Sequence, residues 1–177
     1  MFKLFCILTF VSLSACGQGK STKQANAHNN YKNINMENKT NPYYQPSQKE
    51  ALVIPDSTWQ QVLSPEVYYV ARQNGTERPF TSPFEESKEV GTYHCAACGN
   101  SLFKSSAKFN SGCGWPSFFE PISKSALIYT PDNTHGMQRT EVQCGKCKSH
   151  LGHVFEDGPP PTGLRYCING VVLTIEK

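Results

Sequence analysis

The stretch at residues 144–155 reads CGKCKSHLGHVF, and residues 95–99 read CAACG. Both segments contain two cysteines separated by two residues, with a glycine beside them that lets the backbone approach the sulfurs. This spacing allows each pair to present both thiolates to one ion, and four thiolates at tetrahedral positions are typical of a structural zinc site. We therefore predict one structural Zn²⁺ held by Cys95, Cys98, Cys144 and Cys147.

Three other arrangements of these cysteines stay open from the sequence alone. Iron would fit a rubredoxin-like site with the same ligands, and two disulfides would form in an oxidising compartment. Mixed ligation is also open because Cys144, Cys147, His150 and His153 recur every three residues. That mixed set would leave the first cysteine pair without a role.

The N-terminus has the features of an export signal. Lys3 precedes a mainly apolar run at residues 4–13, which is too short to span a bilayer. The tetrapeptide Leu-Ser-Ala-Cys16 follows and resembles the lipobox of bacterial lipoproteins. We expect a signal peptide over residues 1–15, acylation of Cys16, and a lipid-anchored membrane protein of the bacterial cell envelope that faces the periplasm or the exterior. The alternative is an ordinary signal peptide followed by a chance cysteine.

Residues 17–50 are rich in Asn, Gln, Lys and Ser and lack apolar periodicity. Such a segment cannot bury enough surface to offset the entropy of ordering. We therefore predict a disordered tether over residues 16–50 and one monomeric domain over residues 51–177. The domain contains eleven Lys and Arg against twelve Asp and Glu, although the whole chain carries +3. Nucleic acid is not an expected partner, because the domain has no excess positive charge to attract phosphates.

The domain sequence predicts a mainly β fold with a small N-terminal helical cap. A first helix is predicted over residues 58–63 with Asp56 or Ser57 as its cap, and a second begins at Ser64-Pro65 and ends near Asn74. Short β-branched and aromatic runs then predict antiparallel strands. These runs lie at residues 90–94, 126–130, 138–143, 151–155, 164–168 and 171–175.

The predicted strand at residues 164–168 brings polar groups together by its alternation. In an extended strand Arg165, Cys167 and Asn169 share one face, so a cation, a thiol and an amide point the same way. The dipeptide Asn169-Gly170 also matches a tight hairpin turn.

Cys113 and Cys167 are the two domain cysteines outside the predicted metal site. They are open to three interpretations: two buried thiols, one structural disulfide, or a redox pair. Cys113 lies in a glycine-rich loop, SGCGWP at residues 111–116, that can move a sulfur. Arg165 beside Cys167 is expected to lower the pKa of that thiol. These settings favour the redox pair.

Taken together, these motifs resemble the B-type methionine sulfoxide reductases, in order and over roughly residues 57–175. The matching stretches are the two cysteine pairs, SGCGWPSF at 111–118, HLGHVF at 150–155, DG at 157–158 and GLRYCIN at 163–169. The resemblance implies reduction of methionine-R-sulfoxide, free or in oxidised proteins. It also implies a β-tent-like fold of two antiparallel sheets, with the zinc held away from the chemistry.

The resemblance further implies a role for each site residue. Cys167 is the nucleophile that becomes a sulfenic acid, and Cys113 resolves it to a disulfide that a thioredoxin-like reductant recycles. Trp115 is among the positions that shape the pocket, where its ring offers a flat apolar surface to the substrate methyl group; the alternative is a plain core tryptophan. Five further positions shape the pocket or assist proton transfer, namely His150, His153, Asp157, Arg165 and Asn169. We expect one group among His150, His153 and Asp157 to protonate the sulfoxide oxygen.

The spacing of the two histidines favours His153 as the proton donor. Residues an odd number apart face opposite sides of a regular strand, so both histidines reach one pocket only if Gly152 permits a bulge. Gly170 departs from the resemblance, since the family commonly has Ser after this Asn. The lipobox and tether are a second departure, because most cytoplasmic relatives lack them.

Two functions of other classes fit part of the sequence. A rubredoxin-like electron carrier predicts bound iron, visible colour and no need for Cys113 or Cys167. A zinc-ribbon binding module would use only the four paired cysteines, and the charge of the domain argues against nucleic acid as its partner.

Overall fold

The computed structural model describes residues 41–177, which contain two α-helices and nine β-strands. The predicted signal peptide, Cys16 and the tether up to residue 40 lie outside these described residues. Within the described part of the chain, neither α-helix has the length and apolar character needed to cross a membrane.

The two helices form one corner of the molecule. Helix α1 spans Asp56–Val62, and helix α2 spans Pro65–Gln73. As predicted, Ser64 caps α2 by accepting a hydrogen bond from the Val67 amide at 3.3 Å, and α2 ends at Asn74 in the left-handed conformation.

The expected cap of α1 is wrong. The helix begins after Pro55, which makes no side-chain cap bond, so Asp56 is already its first residue. The Asp56 carboxylate instead pairs with Arg72 of α2 at 2.7 Å. The Asp56 side chain therefore bonds to the other helix and does not cap α1.

The nine strands form two antiparallel sheets, which confirms the predicted fold class. The three-stranded sheet has the order β2-β1-β9, and the six-stranded sheet has the order β3-β4-β8-β7-β6-β5. The strands are β1 (Thr92–Cys95), β2 (Ser101–Lys104), β3 (Lys108–Phe109), β4 (Ser117–Phe118), β5 (Leu127–Asp132), β6 (Arg139–Cys144), β7 (His150–Phe155), β8 (Arg165–Ile168) and β9 (Leu173–Glu176). The sequence patterns did not predict β2, β3 or β4, which have two to four residues each.

An aromatic cluster joins the two sheets. Phe103 of β2 stacks on Phe118 of β4 with ring centroids 4.3 Å apart, and Tyr93 of β1 meets Phe118 edge-on at 5.0 Å. Such aromatic pairs contribute roughly 0.5–1.5 kcal/mol each beyond their burial. Tyr166 of β8 packs on Phe103 at 5.8 Å, and burying it turns the neighbouring Cys167 to the other face of the strand.

The predicted hairpin turn at Asn169-Gly170 is wrong. Strand β8 pairs with β4 and β7, whereas β9 pairs with β1 in the other sheet. Asn169 has φ −63° and precedes a 3-10 helix over Gly170–Val172, while the tight hairpin turn needs a positive φ. Its side chain instead accepts from the Glu77 amide and donates to the Leu151 carbonyl, both at 3.0 Å. These long-range bonds guide the chain from one sheet to the other.

Among the described residues, those from Asn41 onward already pack against the domain, before the predicted boundary at Ala51. Asn41 donates from Nδ2 to the Ala97 carbonyl at 2.9 Å, and the Gln45 amide donates to the Cys98 carbonyl at 3.1 Å. The segment 41–48 therefore lies against the first cysteine pair.

Gly170 lies where a side chain has no room. A Cβ built on it would overlap Ser82 Oγ and lie 2.6 Å from Ser82 Cβ, so rotation of the serine side chain alone would not relieve the contact. Ser82 is itself buried, and its Oγ accepts from the Phe84 amide at 3.1 Å. Glycine at position 170 thus accommodates the serine at position 82.

We expect Gly170→Ala to destabilise the fold by roughly 1–3 kcal/mol, because it overpacks this contact. The double variant Ser82→Gly/Gly170→Ala should recover most of that loss, although the added glycine costs up to about 1 kcal/mol in chain entropy. Denaturant unfolding of the two single variants and the double variant measures the coupling. Additive free-energy changes would contradict the proposed contact.

Candidate active site and metal centre

Four cysteines from two distant segments form a compact sulfur cluster. The Sγ atoms of Cys95, Cys98, Cys144 and Cys147 all lie within 4.8 Å of one another, and all four residues are buried. The sulfurs of Cys95 and Cys147 are 3.8 Å apart, and those of Cys98 and Cys144 are 3.6 Å apart, so they are free thiols. This donor set can hold a metal ion, and it fits the tetrahedral four-thiolate geometry that zinc prefers.

Positively charged side chains lie close to this cluster. The buried Lys146 ammonium donates to the carbonyls of Gln45 at 2.7 Å and Cys98 at 3.2 Å, and Arg72 donates to the Cys147 carbonyl at 3.0 Å. Four thiolates around a divalent ion carry a net negative charge, which these cations offset. The surroundings therefore suit a metal-bound cluster.

A cavity of about 570 Å³ lies beside strands β6, β7 and β8, and none of the four clustered cysteines lines it. Five residues singled out by the sequence line this cavity, namely Trp115, His150, His153, Cys167 and Asn169. Carboxylates and a cation that the sequence analysis did not predict also line it, namely Asp132, Glu141 and Arg139. The cysteine cluster is thus separate from the pocket. His150 and His153 line the pocket and do not join Cys144 and Cys147, so the mixed ligand set is not formed.

A bulge in β7 brings both histidines to this pocket. In the pairing with β6, His150 lies opposite Gln143 and Gly152 lies opposite Val142, which leaves Leu151 as an extra residue. A Cβ on Gly152 would overlap the Cys167 carbonyl oxygen of β8, so glycine is required at this close approach. The conditional prediction of a bulge at Gly152 is confirmed.

His153 is the histidine directly across from Cys167. The antiparallel pairing of β7 with β8 places the two residues opposite each other, and such partners have Cβ atoms about 4.5–5.5 Å apart on one face. His150 lies beyond His153, with ring centroids 5.6 Å apart. Each imidazole contacts its own carboxylate: His150 Nδ1 lies 2.6 Å from Glu141 Oε1, and His153 Nε2 lies 2.7 Å from Asp132 Oδ2.

The thiols of Cys113 and Cys167 are already in contact. Their Sγ atoms are 3.4 Å apart, and the register of β4 with β8 places Ser117 opposite Cys167. Ser111 donates to Cys113 Sγ at 3.0 Å, and Ser117 Oγ lies 3.5 Å from the same sulfur. A disulfide between the two cysteines would therefore need only a small movement of the loop.

Arg165 lowers the pKa of Cys167 as expected, but this effect does not decide the acidity of the thiol. Burial, with further contributions from the charge and hydrogen bond of Cys113, raises the pKa of Cys167 to about 12. Arg165 lowers the pKa of Cys167, but by less than burial and Cys113 raise it. Its guanidinium is engaged by Asp157 through two 2.8 Å hydrogen bonds and lies over the Phe155 ring at 4.4 Å.

Cys113 is the more acidic of the two thiols. Burial raises the pKa of Cys113, but hydrogen bonds with the Ser111 and Ser117 hydroxyls, with the Trp115 backbone and with Cys167 together lower it below the usual thiol value. These surroundings favour the neutral thiol at Cys167 and the thiolate at Cys113.

Asp157 does not join the two histidines as expected. It is exposed, pairs with Arg165 and lies outside the lining of the cavity. Trp115 is half-buried rather than a core residue, and its indole donates to the Glu77 carbonyl at 3.2 Å. The Glu77 carboxylate in turn accepts from the amides of Gly170 and Val171. Glu77 thus connects the Trp115 loop to the segment that follows Asn169.

Sequence analysis missed Asp132, Glu141 and Glu77. Glu141 had one available signal, since it is an acidic residue inside a predicted strand whose neighbour Val142 is fully buried. Asp132 and Glu77 lie in segments with ordinary turn composition, PDN and GTERP, so their roles become visible only through long-range contacts.

The comparisons with known proteins agree with this geometry. The model of the family described as "SelR domain" matches residues 63–177. A peptide methionine sulfoxide reductase MsrB of Agrobacterium fabrum is 57% identical over 121 residues, which cover 68% of this chain and 90% of the relative. An MsrB of Pseudomonas putida strain W619 is 62% identical over 115 residues, covering 65% of this chain and 86% of the relative. An MsrB of Pseudomonas fluorescens is 60% identical over 117 residues, covering 66% and 90%.

The acidity order of the thiols predicts which one reacts first with an alkylating reagent. Near neutral pH, iodoacetamide should label Cys113 before Cys167 in the reduced protein, because alkylation needs the thiolate. In Cys113→Ser, labelling of Cys167 should become faster at a given pH, since the substitution removes two causes that raise the pKa of Cys167. Peptide mass spectrometry measures both rates.

Ser111→Ala provides the matched control with the opposite sign. It removes a hydrogen bond that lowers the pKa of Cys113, so Cys113 should be labelled more slowly. Labelling of Cys167 ahead of Cys113 in the wild-type protein would contradict the assignment.

Proposed function

The chain belongs to the SelR domain family of methionine sulfoxide reductases, and we propose that it reduces methionine-R-sulfoxide through a Cys167 sulfenic acid and a Cys113–Cys167 disulfide. Family membership makes it an oxidoreductase that acts on oxidised methionine. The observation that carries the finer proposal is the pair of sulfurs 3.4 Å apart, of which only Cys167 lines the cavity. Access to substrate thus selects Cys167 as the nucleophile although Cys113 is the more acidic thiol.

In the first step, the sulfur of Cys167 attacks the sulfoxide sulfur. The S–S bond formed in this attack breaks again as the sulfoxide oxygen, once protonated, passes to the Cys167 sulfur, and the thioether leaves. Cys167 thereby loses two electrons and becomes a sulfenic acid, and the substrate sulfur gains them. The oxygen is a poor leaving group until it is protonated, so an acid must act on it. The thiol proton that Cys167 retains can serve this purpose through His153, which lies opposite it in the sheet.

In the second step, Cys113 resolves the sulfenic acid. Its thiolate forms the S–S bond with Cys167 as the S–O bond of the sulfenic acid breaks, and the departing hydroxide takes up the proton that the Cys113 thiol released and leaves as water. The hydrogen bonds that lower the pKa of Cys113 favour the thiolate needed for this attack. A thioredoxin-like dithiol then reduces the disulfide by exchange and restores both thiols.

The pocket is suited to a methionine side chain within a protein. Trp115 offers a flat apolar surface for the substrate methyl group, and contacts of this kind contribute about 0.3–1.5 kcal/mol. The cavity of about 570 Å³ also has room for groups beyond one side chain. Oxidised proteins as well as free methionine sulfoxide are therefore proposed substrates. The site is complete within one chain, which is consistent with a monomer.

We propose zinc as the resident metal, held by Cys95, Cys98, Cys144 and Cys147. When bound, it would supply structural cross-linking rather than chemistry, because the cluster lies outside the cavity. We also propose acylation of Cys16 and attachment to the cell-envelope membrane, which the lipobox-like sequence supports. Fatty-acid labelling that survives Cys16→Ala would refute the anchor.

We expect elemental analysis of the purified protein to find about one zinc per chain. Cys95→Ser should lose the metal and destabilise the protein by about 3 kcal/mol or more, because metal-binding free energy is folding free energy. Cys113→Ser is the matched control and should retain the metal. Bound iron, or four oxidised thiols without metal, would refute the zinc proposal.

The division of labour between the two redox cysteines should appear in turnover counting. Cys167→Ser should lower reduction by more than roughly 10³-fold, since a hydroxyl is a far weaker nucleophile than a thiolate. Cys113→Ser should form about one methionine per enzyme without added reductant and leave a sulfenic acid that dimedone traps. Chromatography of the product from each sulfoxide epimer measures both outcomes.

Thioredoxin-dependent recycling should fail in Cys113→Ser, because no disulfide forms, while dithiothreitol still supports turnover. Full thioredoxin-linked turnover by this variant would show that Cys113 is not the resolving residue. Equal reduction of both epimers would refute specificity for the R form.

A further inference from the structure

Asp132 makes four hydrogen bonds at the edge of the cavity. It is the last residue of β5, and its Oδ1 accepts from the Thr134 amide at 2.9 Å and from Thr134 Oγ1 at 2.6 Å. Its Oδ2 accepts from Arg139 Nη2 at 2.6 Å and from His153 Nε2 at 2.7 Å. Three of these bonds come from its own hairpin, so the carboxylate is fixed in place without any help from His153.

This fixed carboxylate is also fully ionised in the working range of pH. Hydrogen bonds from Thr134, and then those from His153 and Arg139, hold the pKa of Asp132 well below its usual value. A neutral imidazole that donates from Nε2 to such an anion has its unprotonated Nδ1 as the acceptor. The contact therefore selects one tautomer and one ring orientation for His153.

Several other charged or titratable groups act on His153. Burial lowers the pKa of His153, and Arg139 and His150 lower it further, whereas the bond and charge of Asp132 raise it. Glu141 is its cross-strand partner on β6, and Cys167 is its partner on β8. The Glu141 carboxylate is engaged by His150 at 2.6 Å. Among these groups, Asp132 is the anion that bonds directly to the His153 ring.

We propose that Asp132 is a positioning residue for the reduction, which holds the His153 imidazole in the tautomer and orientation that transfer a proton between Cys167 and the sulfoxide oxygen. This inference rests on the proposed function and deepens it. Asp132 lines the cavity and acts on the reaction through the His153 ring to which it bonds. Thr134 and Arg139 of the same hairpin hold the Asp132 carboxylate in place, and the carboxylate holds the His153 ring.

A double-mutant cycle tests whether Asp132 acts through His153. Asp132→Asn should lower the single-turnover rate by about 10-fold to 100-fold, because a displaced acid–base group loses most of its effect. His153→Asn should lower the rate at least as much. In the His153→Asn background, Asp132→Asn should change the rate by less than about twofold, since its target is absent. Asp56→Asn is the matched control: it neutralises another aspartate paired with an arginine, remote from the cavity, and should leave the rate unchanged.

Nuclear magnetic resonance gives a readout that does not depend on turnover. Asp132→Asn should shift the titration of the His153 imidazole to lower pH, because an anion that raises its pKa is lost. The nitrogen shifts should also show loss of the single tautomer. Thr134→Val, which removes one of the bonds that hold the carboxylate, should give changes of the same sign and smaller size, so the test remains available if Asp132→Asn folds poorly.

The outcomes separate this inference from the proposed function. Full activity of His153→Asn would refute the role of His153 in proton transfer, and positioning by Asp132 with it. An impaired His153→Asn in which Asp132→Asn causes the same further loss as in the wild type would overturn the inference alone. An unchanged His153 titration and tautomer in folded Asp132→Asn would also overturn it.

Discussion

The antiparallel pairing of β7 with β8 is the constraint on which the site depends. It sets His153 opposite Cys167, and the bulge at Leu151 turns His150 toward the same cavity. Gly152 makes this possible, because any side chain there would overlap the Cys167 carbonyl. On the other face of β8, the buried Tyr166 locks the register, since a slip of one residue would exchange the faces of the whole strand.

The electrostatics of the cysteine pair follow from this packing. Core burial keeps the proton on Cys167, while serine hydroxyls make the neighbouring Cys113 more acidic. A lowered pKa alone would select Cys113 as the nucleophile, but Cys167 is the thiol that lines the cavity. In the proposed reaction the Cys167 proton must leave before the sulfur attacks, and the sulfoxide oxygen can take it up, because sulfoxide reduction consumes protons there. Arg165 is paired with Asp157, and it lowers the pKa of Cys167 by less than burial raises it.

Features that depend on short sequence spacing were predictable, and features that depend on long-range hydrogen bonds were not. The cysteine pairs, the Ser64 cap and the alternation around Cys167 each follow from neighbours in the chain. Asn169 showed the limit: its dipeptide predicts a hairpin, yet its side chain bonds to Glu77 and Leu151 and directs the chain into the other sheet. The contact between Asp132 and His153 has no local signature, since the two residues lie 21 positions apart.

The four clustered cysteines are connected to the cavity through the start of β7. Cys95 ends β1 in the three-stranded sheet, whereas Cys144 ends β6 in the six-stranded sheet, so a metal bound by both cross-links the two layers. The turn from Cys144 through Cys147 leads directly into His150 at the start of β7. A fixed turn therefore fixes where the bulge begins, and the bulge determines whether both histidines reach the cavity. A metal remote from the reacting sulfur would act in this way as a constraint on strand register, because His150 and His153 both reach the cavity only in that register.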